Sequence, residues 1–401
     1  MRILIVHRYY WPDQTPCAVI MRAIAQHLSA VGNVVDVLSS YPSYRPNGKW
    51  GSGSLSQMPD DIEVKRLRLP YEVGHPIRRV LNALYLGLWI LLRAFARRYD
   101  VIISTSIPPV LGGFFSALAA KRTNARFIYY CMDLHPEIGR VSGDFANPVL
   151  FRLLQRIDDW SCRQARPVLV HSADMLKTLR SRPRGGEYSI EIMNNFALPI
   201  DGEREGTERL YLGAANNRLT VIYAGNIGRF QGFEAIVDAM GLIADRKDVL
   251  LIIMGDGIVK ADLIERVRVN NSNVRFIDYQ PVEVAKHAIQ QADIGLVTLI
   301  PEIYKYAYPS KTMTYLEQGR PIIAAVEPWS ELSQDMQSQG YGFSVPIGNA
   351  KALAELLIRL ADDDSWKQKM NAAALSIFEP NFSAQVVLKR WSRLVKTGSV
   401  V

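Results

Sequence analysis

Short runs of β-branched and other apolar residues alternate along the whole chain with stretches whose apolar positions recur every three to four residues. In the first half the runs predict strands at residues 2–7, 34–38, 63–69, 101–105, 126–132, 168–171 and 190–193. Amphipathic stretches at 18–30, 111–121 and 149–163 predict helices between them. The pattern restarts with strands at 220–224, 249–254, 274–277, 294–298, 321–325 and 342–345, and a last helix is expected at 383–396. Strand–helix alternation implies α/β architecture with parallel sheets covered on both faces. Near-continuous apolar strands such as LLIIM and PIIAAV fit burial on both sides. The polar, Gly-bearing segment 201–218 reads as a linker. The expected organisation is therefore a domain over 1–200, the linker, a second domain over 219–380 and a returning helical segment over 381–401. Two such domains in series put the expected ligand site in the cleft between them, at the carboxyl ends of the strands.

Charge changes this picture more than composition does. The chain has 401 residues and a formal net charge of +8. Up to residue 200 there are 25 Lys and Arg against 15 Asp and Glu, an excess of +10, whereas the rest holds 22 against 24. The first half is thus the one expected to meet something anionic. Nucleic acid is not the expected partner, because zinc-finger spacing, basic tails and RNP-like aromatic signatures are all missing. Three scattered cysteines exclude a disulfide scaffold or a Cys-based zinc site and suit a reducing cytosol. The N-terminus lacks the apolar core and cleavage site of a signal peptide. The uncharged stretch 80–92 is shorter than the roughly 20 residues that cross a bilayer.

The clearest chemistry opens the second domain. An apolar strand runs into Gly225-Asn226-Ile227-Gly228-Arg229, with a helix expected from about Gly232. Glycines let a backbone approach a phosphate, helix amides face the anion, and Arg229 adds a permanently charged fork. A plain βα turn is the competing explanation, and the GxGxxG fingerprint is absent. Downstream, YPSKTMTYLEQGRPIIA places Ser310, Lys311 and Thr312 at a helix start, with Ser310 as expected N-cap and Gly319 as the stop. A lysine there needs an anion nearby, either a diphosphate or, more prosaically, Glu302. Gly255-Asp256-Gly257 closes another strand, followed by Lys260, and reads equally as phosphate loop or structural turn. In the first domain, the strand FIYYCMD ends in Asp133, His135 and Glu137. Such a cluster supplies a general base or acceptor contacts, or else Asp133 merely caps the next helix. His7 and His171 each end a strand and read as structural.

Together, IYAGNIGRFQGFE, IIMGDGIVKADL, YPSK…GRPIIA and DLHPE at 133–137 resemble the large retaining glycosyltransferase family 4 (glycosyl transferases group 1). The resemblance is to its colanic-acid and O-antigen surface-polysaccharide members and spans essentially the whole chain. It implies the GT-B fold, two facing Rossmann-like domains with a C-terminal helix crossing back. It also implies transfer from a nucleotide sugar, UDP- or GDP-linked, to a polyprenyl-diphosphate-linked glycan. By resemblance, Gly225, Asn226, Gly228 and Arg229 face the donor diphosphate with Ser310 and Lys311, while 276–280, including Asp278, Tyr279 and Gln280, lie against the base. Asp13 and Thr15 fall in the acceptor loop, with His135 and Glu137 as further acceptor residues, and Asp133 is the expected base. No protein nucleophile is evident, and the resemblance implies same-face transfer. No DxD-type motif is placed to hold a metal, so metal-independent transfer is expected, with Arg229 and Lys311 stabilising the leaving diphosphate. The chain departs from the family in having Tyr306 and Thr314 where two glutamates are usual, which leaves Glu317 as a candidate ribose ligand. It also has Gln231-Gly232 for Lys-Gly, and Pro16-Cys17-Ala18 for the acceptor-loop glycines. A nucleotide-sugar 2-epimerase and a non-catalytic nucleotide-sugar binder are the alternatives on this fold.

Residues 76–98 join an apolar stretch to arginines on both flanks. At 100° per residue, Arg79, Arg93 and Arg97 share one face, and Trp89 lies on the remaining surface. Such a helix suits the interface of an anionic membrane, with arginines at headgroups, and a helix buried against the sheet is the alternative. The expected location is cytoplasmic, peripheral to the inner face of the plasma membrane.

Overall fold

The computed structural model describes residues 1–13, 15–42, 62–70, 72, 75–200, 210, 212 and 218–400. They form two units. The first holds Met1–Asn194, Tyr306–Tyr308 and Val387–Val401; the second holds Asn195–Lys305 and Pro309–Val386. Most of the expected linker at 201–218 lies outside the described residues. Of its described part, buried Leu212 is tied into the second unit by Gln291 and Arg275.

In the first unit β1 (Arg2–Val6), β2 (Val34–Ser40), β3 (Glu63–Leu67), β4 (Val101–Thr105), β5 (Arg126–Tyr130), β6 (Val168–Val170) and β7 (Ile190–Ile192) form one sheet. Its order is β3-β2-β1-β4-β5-β6-β7, and its pairs are parallel. The order reverses beside β1, where Ile3 lies opposite Val35 on one side and Val101 on the other. The helices are α1 (Pro16–Ala30), α2 (Pro76–Arg97), α3 (Leu111–Thr123), α4 (Glu137–Val141), α5 (Pro148–Gln164) and α6 (Ala173–Arg180). The apolar β1, β4 and β5 are covered on both faces, so their side chains make the core directly.

The second unit has β8 (Leu219–Ala224), β9 (Val249–Met254), β10 (Val274–Ile277), β11 (Ile294–Thr298), β12 (Ile322–Ala325) and β13 (Gly342–Val345), ordered β10-β9-β8-β11-β12-β13 and parallel. Around it lie α7 (Glu234–Leu242), α8 (Lys260–Asn270), α9 (Val282–Gln291), α10 (Lys311–Glu317), α11 (Glu331–Gln339), α12 (Ala350–Asp362) and α13 (Trp366–Phe382). The chain then enters α14 (Ala384–Thr397), whose residues from Val387 onward belong to the first unit. Trp391 is fully buried with its ring 5.2 Å from that of Tyr130, and His27 Nε2 lies 2.7 Å from Ser392 Oγ.

Helix α2 corrects the arginine face read for residues 76–98. Its Asn82, Ala83, Leu86, Gly87, Ile90 and Ala94 face inward. A Cβ on Gly87 would meet the Phe115 ring at 2.1 Å, so glycine is what lets α2 seat closely on α3. Arg93 and Arg97 do not present a free headgroup-binding face. Their guanidinium groups hold Glu63 at 2.6 and 2.5 Å and Asp36 at 3.5 Å, tying the end of α2 to β2 and β3. Trp89 is half-buried, with Lys65 Nζ 5.4 Å from its ring centre. Arg79 lies 3.7 Å from Asp144. By length and composition α2 could cross a bilayer, but a third of its most apolar stretch is buried inside the first unit.

Candidate active site

In the second unit the loops after β8, β9 and β10 are laced together by their backbones. Gly225 N donates to Met254 O at 3.0 Å, Ile227 N to Asp256 O at 2.9 Å, and Gly255 N to Ile277 O at 2.9 Å. This leaves no room for side chains: a Cβ on Gly255 would lie 1.9 Å from Gly225 O, and one on Gly257 2.1 Å from Ile227 O. Loop packing therefore accounts for Gly255 and Gly257. Asp256 is exposed and accepts from the Gly257 amide at 2.8 Å. Gln231, at the position of the family's lysine, turns inward, accepting from Gly228 N at 2.9 Å through Oε1. Buried Gly228 thus helps close the loop, while Tyr223 donates to Asn226 O at 2.6 Å. Gly225, Asn226 and Arg229 remain exposed, and Arg229 makes no hydrogen bond or ion pair with any described residue.

Lys311 reaches this loop from α10. Its Nζ lies 4.8 Å from the centre of the Tyr223 ring, and a Cβ on Gly225 would be 3.4 Å from its Cε. Glu302 does not answer it, because that carboxylate pairs with Lys305 at 2.5 Å. Desolvation without a carboxylate partner pushes the Lys311 ammonium down to about 8. A half-buried cation beside an exposed glycine loop can take up an anion there.

Other donor expectations are corrected. Helix α10 has seven residues, and Ser310 occupies its N-cap position without a side-chain cap bond, since its backbone is already helical. Ser310 is exposed. Thr312 is fully buried, and its hydroxyl oxygen has no hydrogen-bond partner among the described residues. Glu317 is not a free ribose ligand: its carboxylate pairs with Lys286 at 2.6 Å and accepts from Gln318 at 3.0 Å. Beyond β10, exposed Asp278 pairs with Lys260 at 2.5 Å, and Lys260 also donates to Gly255 O at 3.1 Å. Gln280 donates to Asp278 O at 3.3 Å, and Tyr279 is exposed beside them.

In the first unit β5 ends at Tyr130, and the chain continues through Cys131 and Met132 to partly exposed Asp133. The Asp133 amide donates to Ser106 Oγ at 3.3 Å, and its backbone pairs with Ala307 in an antiparallel bridge. Asp133 is not the cap of α4, whose N-cap position is Pro136. Burial pushes its carboxyl up to about 6. His135 is pushed down to about 4, chiefly by burial, and its Nδ1 has no hydrogen-bond partner among the described residues.

Glu137 is not available to an acceptor. Arg182 grips it through Nε at 2.9 Å and Nη2 at 2.7 Å, and Gln155 donates to it at 3.0 Å. Despite burial, Arg182 holds that carboxyl below its ordinary range. The same guanidinium bonds Asp158 at 2.7 Å, Asp159 at 3.2 Å and the His135 carbonyl at 2.9 Å. Arg182 thus anchors the turn that follows Asp133. Sequence reasoning missed it; the pair Asp158-Asp159 on the inward face of α5 was the available signal, since buried carboxylates demand a cation. Thr15 is likewise structural, its Oγ1 capping α1 by accepting from Ala18 N at 3.1 Å. Asp13 is buried in the loop before it, 2% exposed. His7 bonds Thr105 at 2.7 Å and His171 lies 3.2 Å from Met193 O, and burial drives both below the ordinary histidine range.

Comparison with known proteins identifies the family and the fold. The sequence profile of the glycosyl transferase 4-like domain matches residues 17–188, and that of glycosyl transferases group 1 matches residues 218–363. The chain is 24% identical to the probable glycosyltransferase WbjE of Pseudomonas aeruginosa over 75% of each chain. It is 22% identical to the putative colanic acid biosynthesis glycosyl transferase WcaI of Escherichia coli K12, over 83% of this chain and 85% of that one. In fold it is similar to Anabaena HepE solved in complex with UDP, with a TM-score of 0.71 at 15% identity, covering 99% of this chain and all of that one. The chain belongs to the glycosyl transferases of group 1, family 4, and is a glycosyltransferase of the GT-B fold.

Proposed function

We propose that this glycosyltransferase is a retaining, metal-independent hexosyltransferase that uses a UDP- or GDP-sugar. Its acceptor is a polyprenyl-diphosphate-linked glycan in bacterial surface-polysaccharide synthesis. It works peripherally at the cytoplasmic face of the plasma membrane. The observation that carries the donor assignment is Lys311, desolvated over Tyr223, beside Gly225 and without a carboxylate partner. HepE was solved with UDP, and WcaI is named for colanic acid biosynthesis, which supports the donor and pathway classes.

In this reading Lys311 and Arg229 hold the donor diphosphate. The bond from the sugar's anomeric carbon to the diphosphate oxygen breaks, and the acceptor oxygen bonds to that carbon on the same face. The acceptor proton passes to Asp133, which is largely ionised near neutrality, and the two cations stabilise the charge left on the diphosphate.

Calorimetric titration with UDP and GDP tests the donor site. Lys311→Ala and Arg229→Ala are each expected to weaken binding by about 1.5–3 kcal/mol with unchanged melting temperature. Affinity of the wild type should be flat between about pH 7 and 8, above the second ionisation of the terminal phosphate at about 6, and fall above pH 8, because the free protein then loses the Lys311 proton that the bound diphosphate retains. Two variants with wild-type affinity would remove this site. Incubation with labelled nucleotide sugars and lipid-linked acceptors tests the reaction: labelled glycolipid supports it, whereas epimerised donor or binding without turnover overturns it.

A further inference from the structure

The first unit carries an apolar face that its own core does not explain. Helix α2 links β3 to β4, α3 links β4 to β5, and α5 lies between β5 and β6. All three connections step the same way across a parallel sheet, so right-handed crossovers place these helices in one layer. Within it α3 packs against both α2 and α5. Phe114 of α3 lies 5.3 Å from Trp160 of α5, and the neighbouring Phe115 fits against Gly87 of α2. Returning helices run antiparallel to the strands, so α2 and α5 both begin at the carboxyl end of the sheet, the end from which Asp133 emerges. The Arg79–Asp144 pair links the first turn of α2 to the loop leading into α5.

The exposed side chains at that end are apolar and basic. On α2, Ile77 is 75% and Leu81 58% exposed; on α5, Val149 is 74% and Leu153 54% exposed. Residues 76–98 contain five arginines and no acid. Around α5, Arg140, Arg152 and Arg156 are exposed; Asp158 and Asp159 turn inward to Arg182, Asp144 lies in the loop before α5, and Glu187 pairs with Arg163 at the far end of the helix.

We propose that the first unit docks on an anionic lipid bilayer through a composite face made by the N-terminal halves of α2 and α5. The apolar side chains enter the acyl boundary, and Arg152 and Arg156, with the arginines opening α2, meet the headgroups. Arg93 and Arg97 take no part, since they are bound to Glu63 and Asp36 at the other end of α2. Charge selects the occupant: two copies of this face repel one another, whereas anionic headgroups complement it. This deepens the reading of the chain as a peripheral enzyme and rests on it. It places lipid at the end of the sheet where Asp133 meets its acceptor.

Flotation of the full chain with phosphatidylglycerol/phosphatidylcholine vesicles at low salt tests the face. Wild-type protein should float with these vesicles, barely with phosphatidylcholine alone, and less as salt rises. Leu150→Ser/Leu153→Ser on α5 and Leu81→Ser/Leu84→Ser on α2 should each abolish most flotation. Arg152→Glu/Arg156→Glu should lower partitioning by at least about 25-fold, from roughly fivefold per arginine. The substituted side chains are exposed, so thermal melts and UDP binding should stay as in wild type. If the α5 variants float like wild type, the composite face is wrong while the peripheral reading stands on α2. If wild type does not float with anionic vesicles, both fall, and UDP titration still reports the donor site independently. A wild-type dimer in light scattering that these variants convert to monomer also overturns the proposal.

Discussion

Asp133→Asn is expected to lower glycosyl transfer by about 10²–10⁴-fold, the usual contribution of a positioned general base, with UDP affinity unchanged. Asparagine keeps the shape and the backbone contacts to Ser106 and Ala307 but cannot accept the acceptor's proton. Burial holds the Asp133 carboxyl at about 6, so kcat/KM of the wild type should fall as pH drops below that value. With the limb at pH 8 from Lys311, the profile should be bell-shaped, and the asparagine variant should lose only its acid limb. Stability gives a control of opposite sign. A carboxyl whose folded pKa exceeds its unfolded value binds more protons in the native state, so its ionisation weakens the fold as pH rises between about 4 and 6. The neutral variant escapes that penalty and should melt no lower than wild type at pH 7. Transfer at the wild-type rate would show that the base lies elsewhere.

Arg182→Met should have the largest effect on stability. The Arg182 side chain is 2% exposed and its guanidinium pairs with Glu137, Asp158 and Asp159, while Tyr129 and Tyr188 donate to the two aspartates at 2.8 and 2.6 Å. Removing it leaves three buried carboxylates unpaired, which destabilises by about 3–5 kcal/mol. For a unit of this size that lowers the melting temperature by roughly 6–20 °C. The sign of the pH dependence identifies the cause. Without the cation the Glu137 carboxyl loses what holds it low and that of Asp158, already raised by burial, rises further, so the variant should regain stability as pH falls from 8 to 5 and the acids take up protons. A melt within 2 °C of wild type at both pH values would show that the network contributes little. Glu137→Gln tests the discarded acceptor role: the structure predicts lost stability, not a selective loss of acceptor affinity.

What could be read in advance was local. Apolar runs placed β1, β4, β8 and β9, and their continuity announced sheets covered on both faces, because strand periodicity and burial act within a few residues. The GNIGR turn after β8 was legible for the same reason, since a backbone in the left-handed region, as at Gly225, selects glycine at that position. Polar side chains were a different matter. Thr15, Glu137, Thr312, Glu317, Arg93 and Arg97 have the residue types of a ligand or headgroup contact, and in each case the tertiary structure sets another task or buries the group. Arg182 lies 45 residues from Glu137 and Arg97 lies 34 from Glu63, distances over which no repeat or spacing carries information. The chain by itself determined the elements, the two parallel sheets and the glycine loop, because those follow from the conformational limits of neighbouring residues. Which charges are spent inside the fold and which remain for a ligand was decided only when folding brought distant partners within about 3 Å. At that range, desolvation leaves a buried charge only if something opposite meets it.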